Sequence, residues 1–346
     1  MPNPSIVDNK TAGSYVVEVP APPIAVLCAS TDDAPPYLDE LADRAAWRVT
    51  DADGLGEAVA GARALFLWEF FSPAVEGVWD RCDALEWIHV AAAGVDTLLF
   101  PALRDSEVVV TNARGVFDRP IAEFVLASVL AHAKGLHESH DLQRRGTWQH
   151  RETRSVTGAQ ALVIGTGAIG REVARMLSAV GIRVRGAGRT ARDGDPDFGT
   201  VVASDELAEH VTDVDYLVAV APLTPQTRDL VGPSVLAALP SHAHLVNVGR
   251  GPTVDEDALL EVLRAGGLDG ASLDVFSAEP LPETSPLWEQ PGVVVSAHMS
   301  GDVVGWRDTL ARQFVTNARR WLDGVPVEHL DNVVDKRLGY VPGDSR

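Results

Sequence analysis

Residues 161–170 read Ala-Leu-Val-Ile-Gly-Thr-Gly-Ala-Ile-Gly, an apolar run that leads directly into three glycines spaced as G-x-G-x-x-G. The apolar run predicts a buried strand, and a helical pattern follows it at Glu172–Val180. In this context the first glycine permits a tight turn, the second lets the backbone approach a pyrophosphate, and the third lets the helix pack on the strand. We therefore interpret the segment as a dinucleotide site rather than an ordinary glycine-rich turn, with phosphates bound at the start of the helix. The predicted contacts are Gly165, Thr166, Gly167, Ala168, Ile169 and Gly170.

Strand-like and helix-like segments alternate on both sides of this motif. Before it, the predicted strands are Ile24–Cys28, Ala64–Leu67, Trp87–Val90 and Val108–Thr111, and the predicted helices are Leu38–Ala46 and Ala74–Asp80. After it, the predicted strands are Arg183–Ala187, Tyr216–Val220, His244–Val248, Gly270–Asp274 and Val293–Ser296, and the predicted helices are Glu172–Val180, Ser234–Leu239 and Asp257–Ala265. Two such series predict an α/β protein with two doubly wound, parallel-sheet domains.

Two long helical patterns determine the predicted domain organisation. One runs from about Pro120 to Arg144 and is predicted to bridge the domains or to form an interface. The other, Trp306–Leu322, follows the last predicted strand and should pack back on the first domain. We therefore predict a Rossmann cofactor domain, residues 118–298, inserted in a flavodoxin-like substrate domain formed by residues 1–117 and 299–346. Residues 1–21 carry several prolines and are predicted to be a loosely attached extension.

The charge and composition exclude several classes of protein. A net charge of −20 argues against binding to nucleic acid or to an anionic membrane, because both need a basic face. The same acidity fits either a saline habitat or a surplus of surface carboxylates, and the composition does not decide between them. Two cysteines, Cys28 and Cys82, cannot form a disulfide framework, and no spacing resembles a metal site. We therefore expect no bound metal. No run of about 18 apolar residues and no leader sequence is recognisable, so we expect a cytoplasmic protein.

The end of the second strand after the glycine motif predicts which dinucleotide binds. A site selective for NAD needs a carboxylate there to accept a hydrogen bond from the ribose 2′-hydroxyl, but the sequence reads Gly188-Arg189-Thr190-Ala191-Arg192. Arginine side chains would instead hold a 2′-phosphate through charge-assisted hydrogen bonds, unless they are solvated loop residues. We predict NADP(H) as the cofactor, with NAD(H) as the weaker alternative. The predicted contacts in this turn are Gly188, Arg189, Thr190 and Arg192.

Three side chains of chemical interest follow predicted strands of the second series. Arg250, Glu279 and His298 each lie within five residues of the end of such a strand. Because the carboxyl ends of parallel strands meet at one edge of a sheet, the three are expected near the cofactor. The role of each residue taken alone is ambiguous, since an arginine there could form a structural ion pair and a single histidine is more often a polar residue without a catalytic role.

Seven motifs, in order, resemble the D-isomer-specific 2-hydroxyacid dehydrogenase family, and the resemblance covers most of residues 60–335. They are Val90–Asp96 (VAAAGVD), Thr111–Gly115 (TNARG), Ile121–Glu123 (IAE), Ala221–Thr227 (APLTPQT), Asn247–Gly251 (NVGRG), Leu273–Pro282 (LDVFSAEPLP) and Ser296–Ser300 (SAHMS). The Gly-Arg-Thr cofactor turn is similar to that of the glyoxylate/hydroxypyruvate reductase branch. Ala297 departs from the proline that usually precedes the histidine, and Met299–Gly301 departs from the usual small apolar pair.

The resemblance implies hydride transfer between nicotinamide and a small D-2-hydroxy acid or 2-keto acid, such as glyoxylate, hydroxypyruvate or a longer 2-keto acid. It also implies that Arg250 binds and polarises the substrate, that His298 is the acid in reduction and the base in oxidation, and that Glu279 tunes His298. A carboxylate next to an imidazole stabilises its protonated form, which would let His298 donate a proton. Which acid is the substrate and which direction is physiological stay open.

Further contacts are expected on both sides of the reacting carbonyl. The substrate carboxylate is predicted to meet backbone N–H groups in a loop of small residues, although an ordinary tight turn is the alternative. That loop is Ala92, Ala93, Gly94 and Val95. Trp68, followed by Glu69-Phe70-Phe71, would add an aromatic wall for a bulkier side chain, unless these are ordinary core or surface aromatics. Asp274 is predicted to lie near the nicotinamide amide. The alternative is that Asp274 caps a helix or a turn. The remaining predicted cofactor contacts are Ala221, Pro222, Thr227, Val248, Gly249, Arg250, Asp274 and His298.

The resemblance leaves two other functions to weigh and implies an assembly. A nicotinamide-sensing transcriptional corepressor similar to this family would keep the fold, and even the three catalytic side chains, in another role. An NAD-linked phosphoglycerate-type dehydrogenase is the alternative among enzymes, but Gly188 in place of a carboxylate argues against it. Pro120–Arg144 and Gly146–Trp148 resemble the family's dimerisation region, so we expect a homodimer formed through the cofactor domains.

Overall fold

The structure, a computed structural model of the chain, describes residues 21–342. The predicted N-terminal extension, up to residue 20, lies outside the described residues. Within residues 21–342 the chain forms a five-stranded sheet and an eight-stranded sheet, each with its strands mainly parallel. The prediction of an α/β protein with two doubly wound sheets is confirmed.

The first sheet has the strand order β2-β1-β3-β4-β5, and all neighbouring strands are parallel. This is the flavodoxin-like order, in which the direction of winding reverses between β1 and β3. The strands are β1 Pro23–Leu27, β2 Ala46–Thr50, β3 Ala64–Leu67, β4 Trp87–Val90 and β5 Val109–Thr111. Short helices lie between them, α1 Leu55–Ala58, α2 Ala74–Gly77 and α3 Pro101–Asp105. The central strands β1, β3 and β4 are almost wholly buried, which is why they read as continuous apolar runs.

Two helices predicted in this half of the chain are confirmed only in part. Leu38–Ala46 contains only a 3₁₀ turn at Leu38–Leu41, and Ala74–Asp80 divides into α2 and a 3₁₀ turn at Trp79–Arg81. Strand β2 is missing from the prediction. It is a partly exposed edge strand and includes Arg48, so it lacks the continuous apolar pattern of a buried strand.

The second sheet has the order β13-β12-β11-β10-β6-β7-β9-β8. The strands are β6 Gln160–Ile164, β7 Arg183–Gly188, β8 Arg192–Asp195, β9 Gly199–Ala203, β10 Tyr216–Ala219, β11 His244–Asn247, β12 Gly270–Leu273 and β13 Val293–Val295. The helices that follow them are α6 Ala168–Ala179, α7 Leu207–His210, α8 Pro233–Ala238 and α9 Glu256–Arg264. The winding reverses between β6 and β10, which is the Rossmann arrangement and places a ligand crevice at their carboxyl ends.

Strands β8 and β9 at the edge of this sheet are also missing from the prediction. β8 reads Arg-Asp-Gly-Asp and pairs antiparallel with β9, as the only antiparallel neighbour among the described strands. Such a polar sequence carries no hydrophobic period. Two arginines hold the hairpin through ion pairs to Asp195, Arg171 from helix α6 and Arg192 from β8 itself.

The long helical pattern after β5 is two helices rather than one. Helix α4 covers Asp118–Ala133 and α5 covers Leu136–Arg144. Between them Gly135 has a φ of +56°, a left-handed conformation that ends a helix and that glycine adopts without steric cost. None of the helices in the described part of the chain is both long and apolar enough to cross a membrane.

The last helix, α10 Trp306–Leu322, returns to the first sheet. Its Phe314 stacks on Phe66 of β3 with ring centroids 3.8 Å apart, and lies 5.6 Å from the ring of Trp87 in β4. The five-stranded sheet is therefore covered by a helix that follows the eight-stranded sheet in sequence. The exact domain limits at residues 117/118 and 298/299 stay a prediction.

A buried histidine in this core gives a pH-dependent stability. Burial lowers the pKa of His89 to about 3. An unfolded histidine titrates near pH 6.5, so the neutral buried ring contributes its full stability above that pH and loses it progressively as the pH falls toward 3. Each proton taken up on unfolding changes the free energy of unfolding by about 1.4 kcal/mol per pH unit. We expect His89→Phe to reduce the slope of unfolding free energy between pH 6 and 4 by up to about that amount.

Urea unfolding at a series of pH values measures this slope. The ring of His89 lies among Phe66 and Phe314, and its partner Thr111 keeps a hydrogen bond from Trp87, so phenylalanine suits the site. The exposed His329→Phe is the matched control and should leave the slope unchanged. An unaltered slope in His89→Phe would contradict the expectation.

Candidate active site

Arg250 lies directly after β11 and reaches across to the loop that follows β4 in the other sheet. Its Nε donates to both carboxylate oxygens of Asp96 at 3.1 and 3.2 Å, and its Nη2 lies 3.0 Å from Asp96 Oδ1. Its Nη1 donates to the carbonyl of Gly249 at 2.8 Å. Within residues 21–342 these contacts leave at least one N–H on each terminal nitrogen without an acceptor, so this outer fork of the guanidinium can bind a second carboxylate.

The loop predicted to bind the substrate carboxylate lies against Arg250. A Cβ added to Gly94 would overlap Arg250 Nη2, so only glycine permits this approach. The hydrogen bonds of residues 21–342 leave four consecutive backbone N–H groups of the loop without an acceptor, those of Ala92, Ala93, Gly94 and Val95. Consecutive free N–H groups beside a guanidinium form a place where an anion can bind.

His298 and Glu279 form a direct pair. His298 Nδ1 lies 2.7 Å from Glu279 Oε2, and Glu279 Oε1 accepts a hydrogen bond from the N–H of Phe276 at 2.8 Å. Burial raises the pKa of Glu279, but the hydrogen bonds from His298 and Phe276 outweigh burial and hold that pKa below its ordinary value. Glu279 is therefore ionised near neutral pH, and it fixes one ring nitrogen of His298 while the other, Nε2, remains for a ligand.

Asp274 holds the loop that carries His298. Its fully buried carboxylate accepts hydrogen bonds from the N–H groups of Met299 and Ser300 at 3.0 and 2.9 Å, and from the hydroxyl of Ser296. His298 itself has a φ of +52°, an unusual conformation for a residue with a side chain. The carboxylate oxygens of Asp274 are thus committed to the loop, and a contact from Asp274 to the cofactor stays a prediction.

The glycine motif has the geometry that a pyrophosphate needs. Gly165 has a φ of +112° and packs against the backbone of Ala221, and a Cβ on Gly170 would overlap the carbonyl of Gly165. The backbone N–H groups of Thr166, Gly167, Ala168 and Ile169 have no acceptor within residues 21–342. They lie at the N-terminus of α6, where the helix dipole favours an anion.

The neighbouring loops complete the floor of the crevice. A Cβ on Gly249 would come within 2.8 Å of the carbonyl of Ala221, so the loops after β10 and β11 pack closely. Val248 is buried there. The hydroxyl of Thr227 donates to the carbonyl of Pro222 and accepts from the N–H of Thr224, both at 2.7 Å. Thr227 therefore shapes the loop after β10.

The turn predicted to bind a 2′-phosphate presents one uncommitted arginine rather than two. Gly188 faces Thr166, and Thr190 is exposed beside it. Arg189 is exposed and makes no hydrogen bond or ion pair with any of residues 21–342. Arg192 instead donates through Nε and Nη2 to Asp195 at 3.0 and 2.8 Å, so this geometry does not support its predicted role as a phosphate ligand.

Asp195 is a carboxylate near this turn that the sequence pattern did not reveal. Burial raises its pKa, but hydrogen bonds from Arg171 and Arg192 outweigh burial and hold the pKa well below its ordinary value. The carboxylate is thus ionised and its charge is neutralised by two guanidinium groups. It therefore opposes a nearby phosphate less than a free aspartate would.

The aromatic side chain beside His298 is Phe71, and Trp68 is not brought to it. Trp68 is only 5% exposed, packs on Phe66, and is covered by the guanidinium of Arg307 4.7 Å from its ring centroid. It belongs to the core, so its predicted contact with substrate is not supported. Phe71 is 54% exposed, and its ring centroid lies 5.4 Å from that of His298 in an edge-to-face arrangement.

Taken together, the described residues place an anion site, a histidine–carboxylate pair and an exposed aromatic side chain just beyond the carboxyl ends of strands. Arg250 and the loop at residues 92–95 suit a carboxylate, and the Glu279–His298 pair suits proton transfer to an oxygen. The free N–H groups after Gly165 suit a dinucleotide pyrophosphate. Within residues 21–342 no group of three His, Cys, Asp or Glu side chains is arranged to bind a metal ion.

Comparisons with known proteins agree with this geometry. The family model for the NAD-binding domain of D-isomer specific 2-hydroxyacid dehydrogenases matches residues 126–300. Glyoxylate/hydroxypyruvate reductase A of Klebsiella pneumoniae is 31% identical over 276 residues, which are 78% of this chain and 85% of that protein. Hydroxyphenylpyruvate reductase of Plectranthus scutellarioides is 32% identical over 254 residues, 72% of this chain and 79% of that protein.

A solved structure shows the same architecture. The NADPH-dependent glyoxylate/hydroxypyruvate reductase of Sinorhizobium meliloti, in complex with NADP and sulfate, matches with a TM-score of 0.76 and 26% identity. The match covers 92% of this chain and all of that one.

Proposed function

Since the chain belongs to the D-isomer-specific 2-hydroxyacid dehydrogenase family, in the glyoxylate/hydroxypyruvate reductase branch, we propose that it reduces 2-keto acids to D-2-hydroxy acids with NADPH. That it is a nicotinamide-dependent oxidoreductase of 2-hydroxy and 2-keto acids follows from the family. The observation that carries the finer proposal is the pairing of Arg250 with a loop of four free N–H groups, beside the Glu279–His298 pair.

In the proposed reaction, the substrate carboxylate accepts hydrogen bonds from the N–H groups of residues 92–95 and from the outer fork of Arg250. Arg250 also polarises the C2 carbonyl. A bound reduced nicotinamide supplies the hydride that C2 receives. His298 donates a proton from Nε2 to the carbonyl oxygen as the C–O π bond breaks, and Glu279 stabilises the imidazolium before transfer. In oxidation His298 takes the proton back.

The preference for NADP(H) rests on the turn after β7. Gly188 stands where a carboxylate would bind the ribose hydroxyls of NAD, and the guanidinium N–H groups of Arg189 have no acceptor within residues 21–342. The S. meliloti structure, which contains NADP, supports the same cofactor in this chain. We assign the 2′-phosphate to Arg189, without Arg192.

The substrate is proposed to carry an apolar side chain. Phe71 is exposed beside His298, and Met299 next to His298 is exposed as well. A 2-keto acid with an apolar group at C3 would cover this surface, whereas glyoxylate has no atoms to place there. The hydroxyphenylpyruvate reductase among the relatives supports an aromatic 2-keto acid.

A substrate screen with both cofactors tests this function. The purified protein is expected to oxidise NADPH in the presence of phenylpyruvate, with kcat/KM at least about tenfold above that for glyoxylate and a D-configured product. NADH should be about ten- to a hundredfold poorer, because it lacks the charge-assisted contacts of the 2′-phosphate. Failure to reduce any 2-keto acid with either cofactor would reject the function and favour a nicotinamide sensor. A preference for glyoxylate would reject only the apolar substrate.

An assembly through the cofactor domains is also proposed. Leu136 in α5 is half exposed and Trp148 is fully exposed, two large apolar side chains in the region that resembles the family's dimerisation segment. Exposed large apolar side chains are typical of an interface when they form a patch. A homodimer would cover them. A cytoplasmic location stays a prediction.

A further inference from the structure

The end of the described chain, residues 333–342, is held against the five-stranded sheet by hydrogen bonds. The N–H of Val334 donates to the carbonyl of Val110 in β5 at 2.8 Å. The ammonium group of Lys336 donates to the backbone carbonyls of Leu103 and Val108 at 3.0 Å each. The segment therefore has a fixed position relative to the sheet that carries the substrate loop.

The same segment then makes a closed turn that ends at Tyr340. The N–H of Asp335 donates to the carbonyl of Tyr340 at 3.1 Å, and the N–H of Gly339 donates to the carbonyl of Asp335 at 2.8 Å. Beyond the turn, Arg114 Nη1 donates to the carbonyl of Pro342 at 3.2 Å. Tyr340 is thus held on both sides.

From this position Tyr340 meets Arg189, the residue assigned to the 2′-phosphate. The guanidinium carbon of Arg189 lies 5.5 Å from the centroid of the Tyr340 ring, within the range of a cation–π contact. Arg189 follows β7 of the eight-stranded sheet, so the contact joins that sheet to the C-terminal segment held on the five-stranded sheet.

A contact of this kind orients an arginine without using its hydrogen bonds. The ring interacts with the face of the guanidinium plane, whereas the five N–H donors lie in that plane. Within residues 21–342 Arg189 forms no ion pair with a carboxylate that would compete for those donors. The guanidinium is therefore restrained and still free to bind a phosphate dianion at its edge.

We propose that Tyr340 is a positioning residue for NADP(H): it holds Arg189 ready for the 2′-phosphate and makes binding of that phosphate depend on the C-terminal segment. This inference rests on the proposed assignment of the 2′-phosphate to Arg189. It goes beyond that assignment because a residue of the C-terminal segment, which is hydrogen-bonded to the first sheet, takes part in choosing the cofactor bound by the second sheet. The contact does not strengthen the binding of NADH, because NADH has no 2′-phosphate.

Binding measurements with four variants test the proposal. Dissociation constants for NADPH and NADH are measured by calorimetry on the full chain for Tyr340→Ala, Tyr340→Phe, Arg189→Ala and the double variant Arg189→Ala/Tyr340→Ala. We expect Tyr340→Ala to weaken NADPH by about three- to tenfold and to leave NADH unchanged. Tyr340→Phe keeps the ring and should bind NADPH as the unaltered chain does. In the Arg189→Ala background, Tyr340→Ala should have no further effect.

The controls separate this inference from the cofactor assignment and from folding. Arg312→Ala removes a similar arginine–tyrosine contact, to Tyr37 at 3.8 Å, away from the crevice, and should change neither dissociation constant. If Arg189→Ala leaves NADPH binding unchanged, both the assignment and this inference fail. Suppose that Arg189→Ala weakens the binding of NADPH. If Tyr340→Ala then leaves NADPH binding unchanged, or weakens the binding of NADPH and NADH equally, only the role of Tyr340 is overturned. Thermal unfolding of each variant shows that the chain is folded when binding is measured.

Discussion

Replacing His298 by alanine is expected to lower kcat by about 10²- to 10⁴-fold, the range typical of losing a general acid. The Nε2 of His298 is the only proton donor that we assign to the carbonyl oxygen, and its partner Glu279 has no proton to give because its pKa is held low. The dissociation constant for NADPH should change little, because Arg189 and the glycine motif remain. Single-turnover reduction of phenylpyruvate at saturating NADPH measures the effect on the chemical step.

The backbone at His298 calls for a second variant. Its φ of +52° is costly for alanine but is adopted more readily by asparagine. His298→Asn should therefore fold as the unaltered chain does and still lose about the same activity, since the N–H groups of a carboxamide are not acidic enough to transfer a proton at neutral pH. If either variant keeps near wild-type turnover, His298 is not the acid.

Replacing Arg250 by alanine is expected to lower kcat/KM for the 2-keto acid by about 30- to 5,000-fold, since losing one partner of a partly buried charge pair costs about 2–5 kcal/mol. Two effects add. The outer fork that would bind the substrate is gone, and Asp96 is left as an unpaired anion facing an anionic substrate. Arg250→Lys keeps the charge but not the planar fork, so it should recover at most about a tenth of the lost activity.

A combined variant separates these two effects. Arg250→Ala/Asp96→Asn removes the repelling charge as well, and we expect it to be several-fold more active than Arg250→Ala alone. The exposed Arg264→Ala, in α9 of the same sheet, is the control and should leave kcat/KM unchanged. Equal activity of Arg250→Ala and the unaltered chain would contradict the proposed role.

The sequence predicts the buried part of the fold better than its edges. Strands such as β6 and β11 are covered on both faces, so each is a short apolar run with a distinct start and end. The edge strands β2 and β8 have side chains in solvent and carry no such pattern. The break at Gly135 depends on one backbone angle, which a helical period spanning residues 120–144 conceals.

In the site, too, some features are predictable from the sequence and others are not. Arg250, Glu279 and His298 are predictable because parallel strands bring their carboxyl ends together, and the structure pairs Glu279 with His298. The partner of Arg250 is Asp96, 154 residues away, and that of Arg189 is Tyr340, in the C-terminal segment. Contacts between separate loops leave no periodic signal in the sequence, so only the three-dimensional arrangement reveals them.

The Asp96–Arg250 ion pair has a consequence for how the two anionic ligands reach the crevice. A guanidinium already neutralised by a carboxylate exerts little attraction at long range, and the chain as a whole repels anions with its net charge of −20. A 2-keto acid would therefore be captured by short-range hydrogen bonds after a diffusive encounter without electrostatic steering. Arg189 has no carboxylate partner within residues 21–342, so salt should screen the approach of the cofactor more than that of the substrate.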